Sequence, residues 1–115
     1  MLALNFYSEL YEDILHKGRK TVTIRLGDKA DKYRAGMLVW ITTGPRYGRK
    51  QKLYTAVLDK VEVKPISELS PRDIEHENPE MRDQDEVIGL LSRIYSEFVT
   101  PAHLCTVIRF SRVDD

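Results

Sequence analysis

The 115-residue sequence lacks most of the features that mark secreted, membrane-bound or multidomain proteins. Its single cysteine, Cys105, cannot form an internal disulfide. No apolar run approaches the roughly 20 residues that a membrane-spanning helix needs. The first thirteen residues have no basic start typical of a secretion signal and carry three acidic residues. We find no repeat, linker or low-complexity tract, so the sequence predicts one cytoplasmic domain over residues 1–115. A domain of this length can bury a hydrophobic core without disulfides or a structural metal.

Sequence patterns for metals and common cofactors are also missing. Cys105 and the three histidines lie far apart, without the CxxC or HExxH spacing of a metal site on one element. No P-loop, GxGxxG turn or GxSxG elbow is present. The run Glu75–Glu77 contains two glutamates around His76, but neighbouring helical residues point about 100° apart, so a solvated charge run is expected. We therefore predict no metal and no cofactor.

Charge is balanced over the chain but not along it. Eighteen basic residues match eighteen acidic ones. Residues 16–52 nevertheless hold eleven lysines and arginines against Asp28 and Asp31, a local charge of +9. If this segment occupies one face, it forms a positive patch suited to phosphates; folding could equally scatter it among ordinary surface pairs.

The remaining pattern predicts strands and helices that do not alternate regularly. Alternating or β-branched runs predict about five strands, in residues 2–6, 21–25, 37–43, 52–63 and 102–113. Helical spacing predicts one helix after Ser8, a short one ending near Glu77, and a longer one whose apolar stripe packs on the sheet: Val87, Ile88, Leu91, Ile94, Tyr95 and Phe98. This order is typical of an α+β domain with a small mixed or antiparallel sheet, or one closed into a barrel.

A turn-rich segment between the third and fourth predicted strands is strongly basic. Residues 44–52 read Gly-Pro-Arg-Tyr-Gly-Arg-Lys-Gln-Lys. Glycine and proline at these spacings indicate a turn, so we expect a hairpin. Its tip, residues 44–52, would then carry Arg46, Arg49 and Lys50 around Tyr47.

A second segment, Lys17 to Arg25, has the pattern most suggestive of chemistry. Thr23 and Arg25 are two apart on a predicted strand, so both project to one face with Cα atoms about 7 Å apart. A hydroxyl and a guanidinium at that spacing could hold an anion or a carbonyl oxygen. Lys20 joins that face only if the strand starts at Thr21 and Lys20 lies in the turn after Gly18. The structural alternative is a basic turn followed by an edge strand with exposed threonines.

The turn Gly18-Arg-Lys-Thr-Val-Thr-Ile-Arg25 resembles the signature G-x-K-x-x-E-x-R of the ASCH domain family, within the PUA-like superfamily. Thr23 stands where the broad family has Glu, as in the bacterial N(4)-acetylcytidine amidohydrolase branch. A second block, Glu75-His76-Glu77-Asn78, and later apolar pairs follow in that branch's order, so the resemblance spans essentially the whole chain. It implies a PUA-like small β-barrel of about five strands with two to three flanking helices.

The resemblance also implies a function and site residues. It places the branch's functional lysine, threonine and glutamate on Lys20, Thr23 and Glu77. The implied reaction removes an acyl group from the exocyclic amine of N-acetylated cytidine. Thr23 would be the nucleophile or would position water, Lys20 would accept the proton, and Glu77 would orient Lys20 or protonate the leaving amine.

The partner implied is a modified nucleoside or RNA. The residues we expect to contact it are Arg19, Arg25, Arg46, Tyr47, Arg49 and Lys50, with Arg25 placed to bind the carbonyl oxygen or a phosphate. The alternative function is a non-catalytic RNA-binding PUA-like module that uses the basic segment 16–52, with tyrosines as stacking surfaces. The sequence leaves the oligomeric state open.

Overall fold

Five β-strands form one mixed sheet in the part of the chain that the structure describes. The structure is a computed structural model that describes residues 1–6, 11, 14–15, 17–18, 21–45, 47–77 and 81–113. The strands are β1 (Ala3–Phe6), β2 (Val22–Leu26), β3 (Leu38–Thr43), β4 (Gln51–Pro65) and β5 (Leu104–Arg112). Their order in the sheet is β1-β3-β4-β5-β2. This order places β1 and β2 at the two edges. Among these pairs only β1–β3 is parallel.

The long strand β4 coils the sheet. Its first half pairs with β3 and its second half with β5, so the chain turns from one neighbour to the other along a single strand. The register with β5 shifts between Leu58 and Lys60, and an irregularity of this kind bends a strand and increases its twist. The sheet therefore curls into a half-barrel that brings its two edges towards each other.

Helices cover one face of the sheet. A 3₁₀ turn (Ile66–Glu68) leads into α1 (Pro71–Glu77), and α2 (Gln84–Tyr95) follows. Ser70 caps α1, since its hydroxyl accepts the Asp73 N–H at 3.1 Å. Asp83 caps α2 by accepting the Glu86 N–H at 3.0 Å. The helix predicted after Ser8 falls largely outside the described residues, although Tyr11 and Leu15 are buried.

The end of α2 departs from the predicted stripe. Ser96 adopts a left-handed conformation with φ 52° and ends the helix directly after Tyr95. Phe98 therefore leaves the helix and is 87% exposed, so its predicted packing on the sheet is wrong. Val87 and Leu91 are buried against the sheet as predicted, whereas Ile94 is 40% exposed.

Two apolar cores lie on opposite faces of β5. Ile108 and Phe110 belong to the first core, with β1, β3 and β4 residues, and Cys105 and Val107 belong to the second, under the helices. On β2, Val22 and Ile24 face the second core, so the alternating Thr23 and Arg25 face the other way. These elements form the predicted α+β architecture, and no described helix is long and apolar enough to cross a membrane.

Candidate active site

The curled sheet leaves a seam between its two edge strands. Arg25 on β2 reaches across it and donates from Nη2 to the Asn5 carbonyl on β1 at 3.1 Å. The Tyr33 hydroxyl donates to the next free carbonyl of that edge, Ala3, at 3.4 Å. These donors occupy two carbonyls of that edge, which leaves fewer backbone groups for pairing with another strand.

The free edge of β2 is closed from the helix side. Its Ile24 N–H donates to Oε2 of Glu77, the last residue of α1, at 2.7 Å. Its Leu26 N–H donates to the Tyr95 hydroxyl at the end of α2, at 3.3 Å. Glu77 is only 5% exposed, and its bond to Ile24 replaces the strand partner that an edge lacks. Glu77 and Tyr95 thus fix the two helices to the seam, because their side chains accept hydrogen bonds from backbone N–H groups of β2.

Arg25 is held in a defined orientation above the seam. Its Nε donates to Thr23 Oγ1 at 2.9 Å, and its guanidinium carbon lies 5.1 Å from the centre of the Phe6 ring. Together with the hydrogen bond to the Asn5 carbonyl, these contacts hold the Arg25 side chain against three neighbouring residues. An arginine has five N–H donors, so this geometry leaves donors that can face a ligand. Thr23 accepts from Arg25 and keeps its own O–H to donate.

A cavity of about 120 Å³ opens in the seam. It is lined by residues of both edge strands and both helices, together with Tyr11: Asn5, Phe6, Tyr11, Thr23, Ile24, Arg25, Glu77, Leu90, Ile94 and Tyr95. Most of its wall is apolar and includes three aromatic rings. Thr23, Arg25 and Glu77 add a hydroxyl, a guanidinium and a carboxylate. This is the usual composition of a ligand site, apolar walls with a few polar groups placed among them.

The structure thus brings together three of the residues that the sequence singled out. Thr23, Arg25 and Glu77 line the same cavity, and Thr23 is 3% exposed rather than an exposed threonine of an edge strand. Lys20 and Arg19 lie outside the described residues, as does Arg46. Tyr47, Arg49 and Lys50 lie between β3 and β4 and do not line the cavity.

Sequence reasoning missed the helical wall of the cavity. The spacing of Leu90, Ile94 and Tyr95 indicates an amphipathic helix, but it does not distinguish a buried residue from one that borders a cavity. Asn5 was missed for a different reason, because its part in the seam depends on the curl of the sheet. The partial exposure of Ile94 reflects its place at this opening rather than in the core.

A second, more open depression of about 420 Å³ lies where α1 and α2 begin. It is lined by Leu69, Pro71, Ile74 and residues 82–85, none of which the sequence indicates for chemistry. Among the described residues, no group of three or more histidines, cysteines or carboxylates could hold a metal ion. Glu75 is exposed while Glu77 is buried, so the two glutamates of that run point apart.

Comparison with known proteins finds similarity to solved structures only. No family model matches the sequence, and no curated protein matches it either. The chain is similar to protein EF3133 from Enterococcus faecalis V583, of the family DUF984, with a TM-score of 0.72 and 20% identity over 99% of this chain and 81% of that one. It is similar to the hypothetical protein PH0355, with a TM-score of 0.67 and 16% identity over 98% and 100% of the two chains.

A third solved structure carries the name that the motif suggested. The ASCH domain from Lactobacillus crispatus JV V101 superposes with a TM-score of 0.67 and 14% identity, over 96% of this chain and 77% of that one. The TM-scores of 0.67–0.72 establish a shared fold, and the low identities leave activity open. The chain therefore has the α+β fold of an ASCH domain, with a small, partly closed barrel.

Proposed function

We propose that the seam cavity binds an N-acylated cytosine and hydrolyses its exocyclic amide. The observation that carries this proposal is the meeting of Thr23 and Glu77, far apart in the chain, in one small cavity beside Arg25. The ASCH-like fold and the Gly18–Arg25 motif support the same reaction class. The fold without the motif would not support a particular reaction, because one fold hosts many activities.

The cavity's size limits what it can enclose. About 120 Å³ is well below the ~300–1,000 Å³ of cavities that take drug-sized ligands. A single planar ring with a short substituent suits this space better than a whole nucleoside. The rings of Phe6, Tyr11 and Tyr95 supply flat apolar surfaces, which favour stacking with such a ring.

Thr23 is the residue best placed to act on the acyl carbon. Arg25 already donates to its oxygen at 2.9 Å, so the hydroxyl proton points elsewhere and can be passed to a base. Attack by Oγ1, or by a water that Thr23 orients, forms a C–O bond and places negative charge on the carbonyl oxygen. The remaining Arg25 donors stabilise that charge.

The reaction then needs a proton at the leaving nitrogen. When the C–N bond breaks, the exocyclic amine must gain a proton. If Thr23 is the nucleophile, water then hydrolyses the acyl ester on Oγ1, so by either route the products are the free amine and a carboxylic acid. We assign the proton transfer to Lys20 and Glu77, with Lys20 as base and Glu77 as its partner or as the donor to nitrogen. A lysine serves as a base only where desolvation or a nearby cation lowers its pKa.

The test is release of cytidine from N(4)-acetylcytidine by the purified protein, followed by chromatography. Thr23→Val removes the hydroxyl and keeps the branched shape, and Glu77→Gln keeps an oxygen that can accept from Ile24. Each variant, and Lys20→Ala, should lower kcat/KM at least about a hundredfold. Circular dichroism and thermal melting establish that each variant is folded.

Matched controls separate chemistry from general damage. Thr55→Val makes the same atomic change on β4, and Glu75→Gln makes the same change on the exposed side of α1. Both lie outside the cavity and should retain activity. Turnover that survives in folded Thr23→Val or Glu77→Gln would overturn the assigned roles. Absence of turnover by the unmodified protein, both on this nucleoside and on the same acetylated base within RNA, would overturn the reaction itself.

A further inference from the structure

The seam cavity has room for a base but not for the sugar and phosphate attached to it. A cavity of about 120 Å³ has space for no more than about one ring and a short substituent, so the rest of the substrate must lie on the surface outside. What that surface carries then decides whether the substrate is a free nucleoside or part of a longer chain. This inference rests on the proposed function.

The hairpin tip, which the structure limits to residues 44–50 because β4 begins at Gln51, is attached to the cavity wall. The Gly44 N–H donates to the carbonyl of Phe6 at 3.2 Å. The Asn5 side-chain amide donates to the Gly44 carbonyl at 2.9 Å, and its oxygen accepts from Thr42 at 2.8 Å. Asn5 and Phe6 both line the cavity. The tip therefore begins directly at one wall of the cavity.

The backbone of the tip is constrained where it begins and at its bend. Gly44 has φ 145°, and a Cβ there would lie 2.7 Å from the Arg49 carbonyl oxygen. A Cβ at Gly48 would lie 2.3 Å from the Pro45 side chain, and the Gly48 N–H donates to the Pro45 carbonyl at 3.2 Å. Both positions therefore need glycine, which constrains the backbone at Gly44 and at Gly48.

The tip presents cations and an aromatic ring to solvent. Tyr47 is 91% exposed, and Arg49 and Lys50 are exposed beside it. Residues 44–52 hold four lysines and arginines and no acidic residue. Tyr47 is three residues from Gly44, so its Cα lies within about 11 Å of the tip's attachment to the cavity wall. A few nucleotides of a single strand span that distance.

We infer that the substrate is an acylated cytosine within a single-stranded polynucleotide. The base enters the seam cavity out of the stack, and the neighbouring phosphates lie along Arg49 and Lys50 of the tip, where Tyr47 can stack on an adjacent base. Enzymes that act on a base within a nucleic acid must expose it in this way. A cationic surface with an exposed aromatic ring is the usual surface for single strands.

The experiment compares two substrates under changing salt. One is N(4)-acetylcytidine as the nucleoside; the other is a single-stranded oligoribonucleotide of about eight residues with one such base at its centre. We expect kcat/KM to be at least about tenfold higher for the oligonucleotide at low salt. Two phosphate contacts predict a fall of about sevenfold between roughly 50 and 200 mM salt, because each contributes a slope of about −0.7.

Variants locate the effect on the tip. Arg49→Gln with Lys50→Gln should reduce the slope of log(kcat/KM) against log[salt] by about 1.4 for the oligonucleotide. Its loss on the oligonucleotide should exceed its loss on the nucleoside at least fivefold, as a rough lower limit. Lys60→Gln removes a positive charge in the second half of β4, away from both the tip and the cavity lining, and should leave both substrates unaffected.

Each outcome bears on the inference. Equal turnover of nucleoside and oligonucleotide, without salt dependence, would overturn it and leave the proposed function standing. If neither substrate reacts, the proposed function fails, and fluorescence anisotropy of the labelled oligonucleotide then decides. Salt-sensitive binding weakened by the tip variant would support a non-catalytic RNA-binding protein that uses the same surface, and absence of binding would overturn the tip assignment as well.

Discussion

Asp73 offers a sharp test of how the candidate site is positioned. It lies one helical turn before Glu77, so both carboxylates face the sheet from α1. Asp73 is 3% exposed; it accepts from Lys64 Nζ at 3.0 Å and also from Arg109. Its carboxylate therefore ties α1 to β4 and β5, while Glu77 ties the same helix to β2. Replacing Asp73 with Asn removes the charge and keeps the size.

The expected loss of stability follows from the two cations, Lys64 and Arg109, that lose the Asp73 carboxylate as a partner. Breaking a buried ion pair by removing one partner typically costs about 3–5 kcal/mol. The side chains of Lys64 and Arg109 are 15% and 30% exposed, so they regain part of their hydration. We therefore expect Asp73→Asn to lower the free energy of unfolding by about 2–3 kcal/mol. For a chain of this length, that lowers Tm by about 8–12 °C.

The effect should depend on pH in a defined direction. Burial acts to raise the pKa of Asp73, but hydrogen bonds from Lys64 and Ser70 outweigh it and hold the pKa below the ordinary value of 3.8. The unfolded chain therefore binds this proton more readily, and the stabilisation is present above about pH 4 and lost as pH falls through the folded pKa. The difference between wild type and Asp73→Asn should shrink towards pH 3.

Urea unfolding at pH 7 and pH 3, followed by circular dichroism, measures this difference. Asp31→Asn is the control, because Asp31 is exposed and its loss should change stability by no more than about 0.5 kcal/mol. Activity of Asp73→Asn should fall below that of the control even under conditions where it is folded, since Glu77 is carried by the same helix. A cost below about 1 kcal/mol, or one that does not change with pH, would refute the reasoning.

Three further predictions concern single residues. Burial raises the pKa of Cys105 to about 11, so at pH 8 a thiol reagent should modify it only as fast as the protein unfolds, and rapid labelling of the native protein would contradict this. Gly44→Ala should lower the free energy of unfolding by about 1–3 kcal/mol, because its Cβ would meet the Arg49 carbonyl at 2.7 Å and its φ is 145°. Gly89→Ala, in open space within α2, should instead raise it by about 0.5–1 kcal/mol in the same urea assay.

The strands could be predicted because alternation and β-branched residues are visible within a few neighbouring positions of the sequence. Alternation fixed the faces of β2, so that Thr23 and Arg25 share one side and Ile24 the other, as the structure has them. Serine is a preferred helix-capping residue, and Ser70 caps α1. These features depend on neighbours within a few residues, which a sequence displays directly.

The cavity could not be predicted in the same way, because it depends on how far the sheet curls. Nothing near Glu77 indicates that its carboxylate meets the backbone of Ile24 on β2. The stripe on α2 likewise gives no sign that the helix ends at Ser96 and leaves Phe98 exposed, since a left-handed serine has no strong local signal. The family motif supplied what physical patterns lacked, by pairing Thr23 with Glu77.

The position of the site follows from the topology of the sheet. A half-barrel has two free edges, and unpaired edges invite association with other chains unless their backbone groups are occupied. Here Arg25 occupies a carbonyl of β1, and Glu77 occupies an N–H of β2. The side chains that close the edges are therefore also the polar groups of the cavity between them. Removing either side chain would therefore change both stability and the proposed hydrolysis. Glu77→Ala would confound the two effects, whereas Glu77→Gln keeps an acceptor for the Ile24 N–H and separates them.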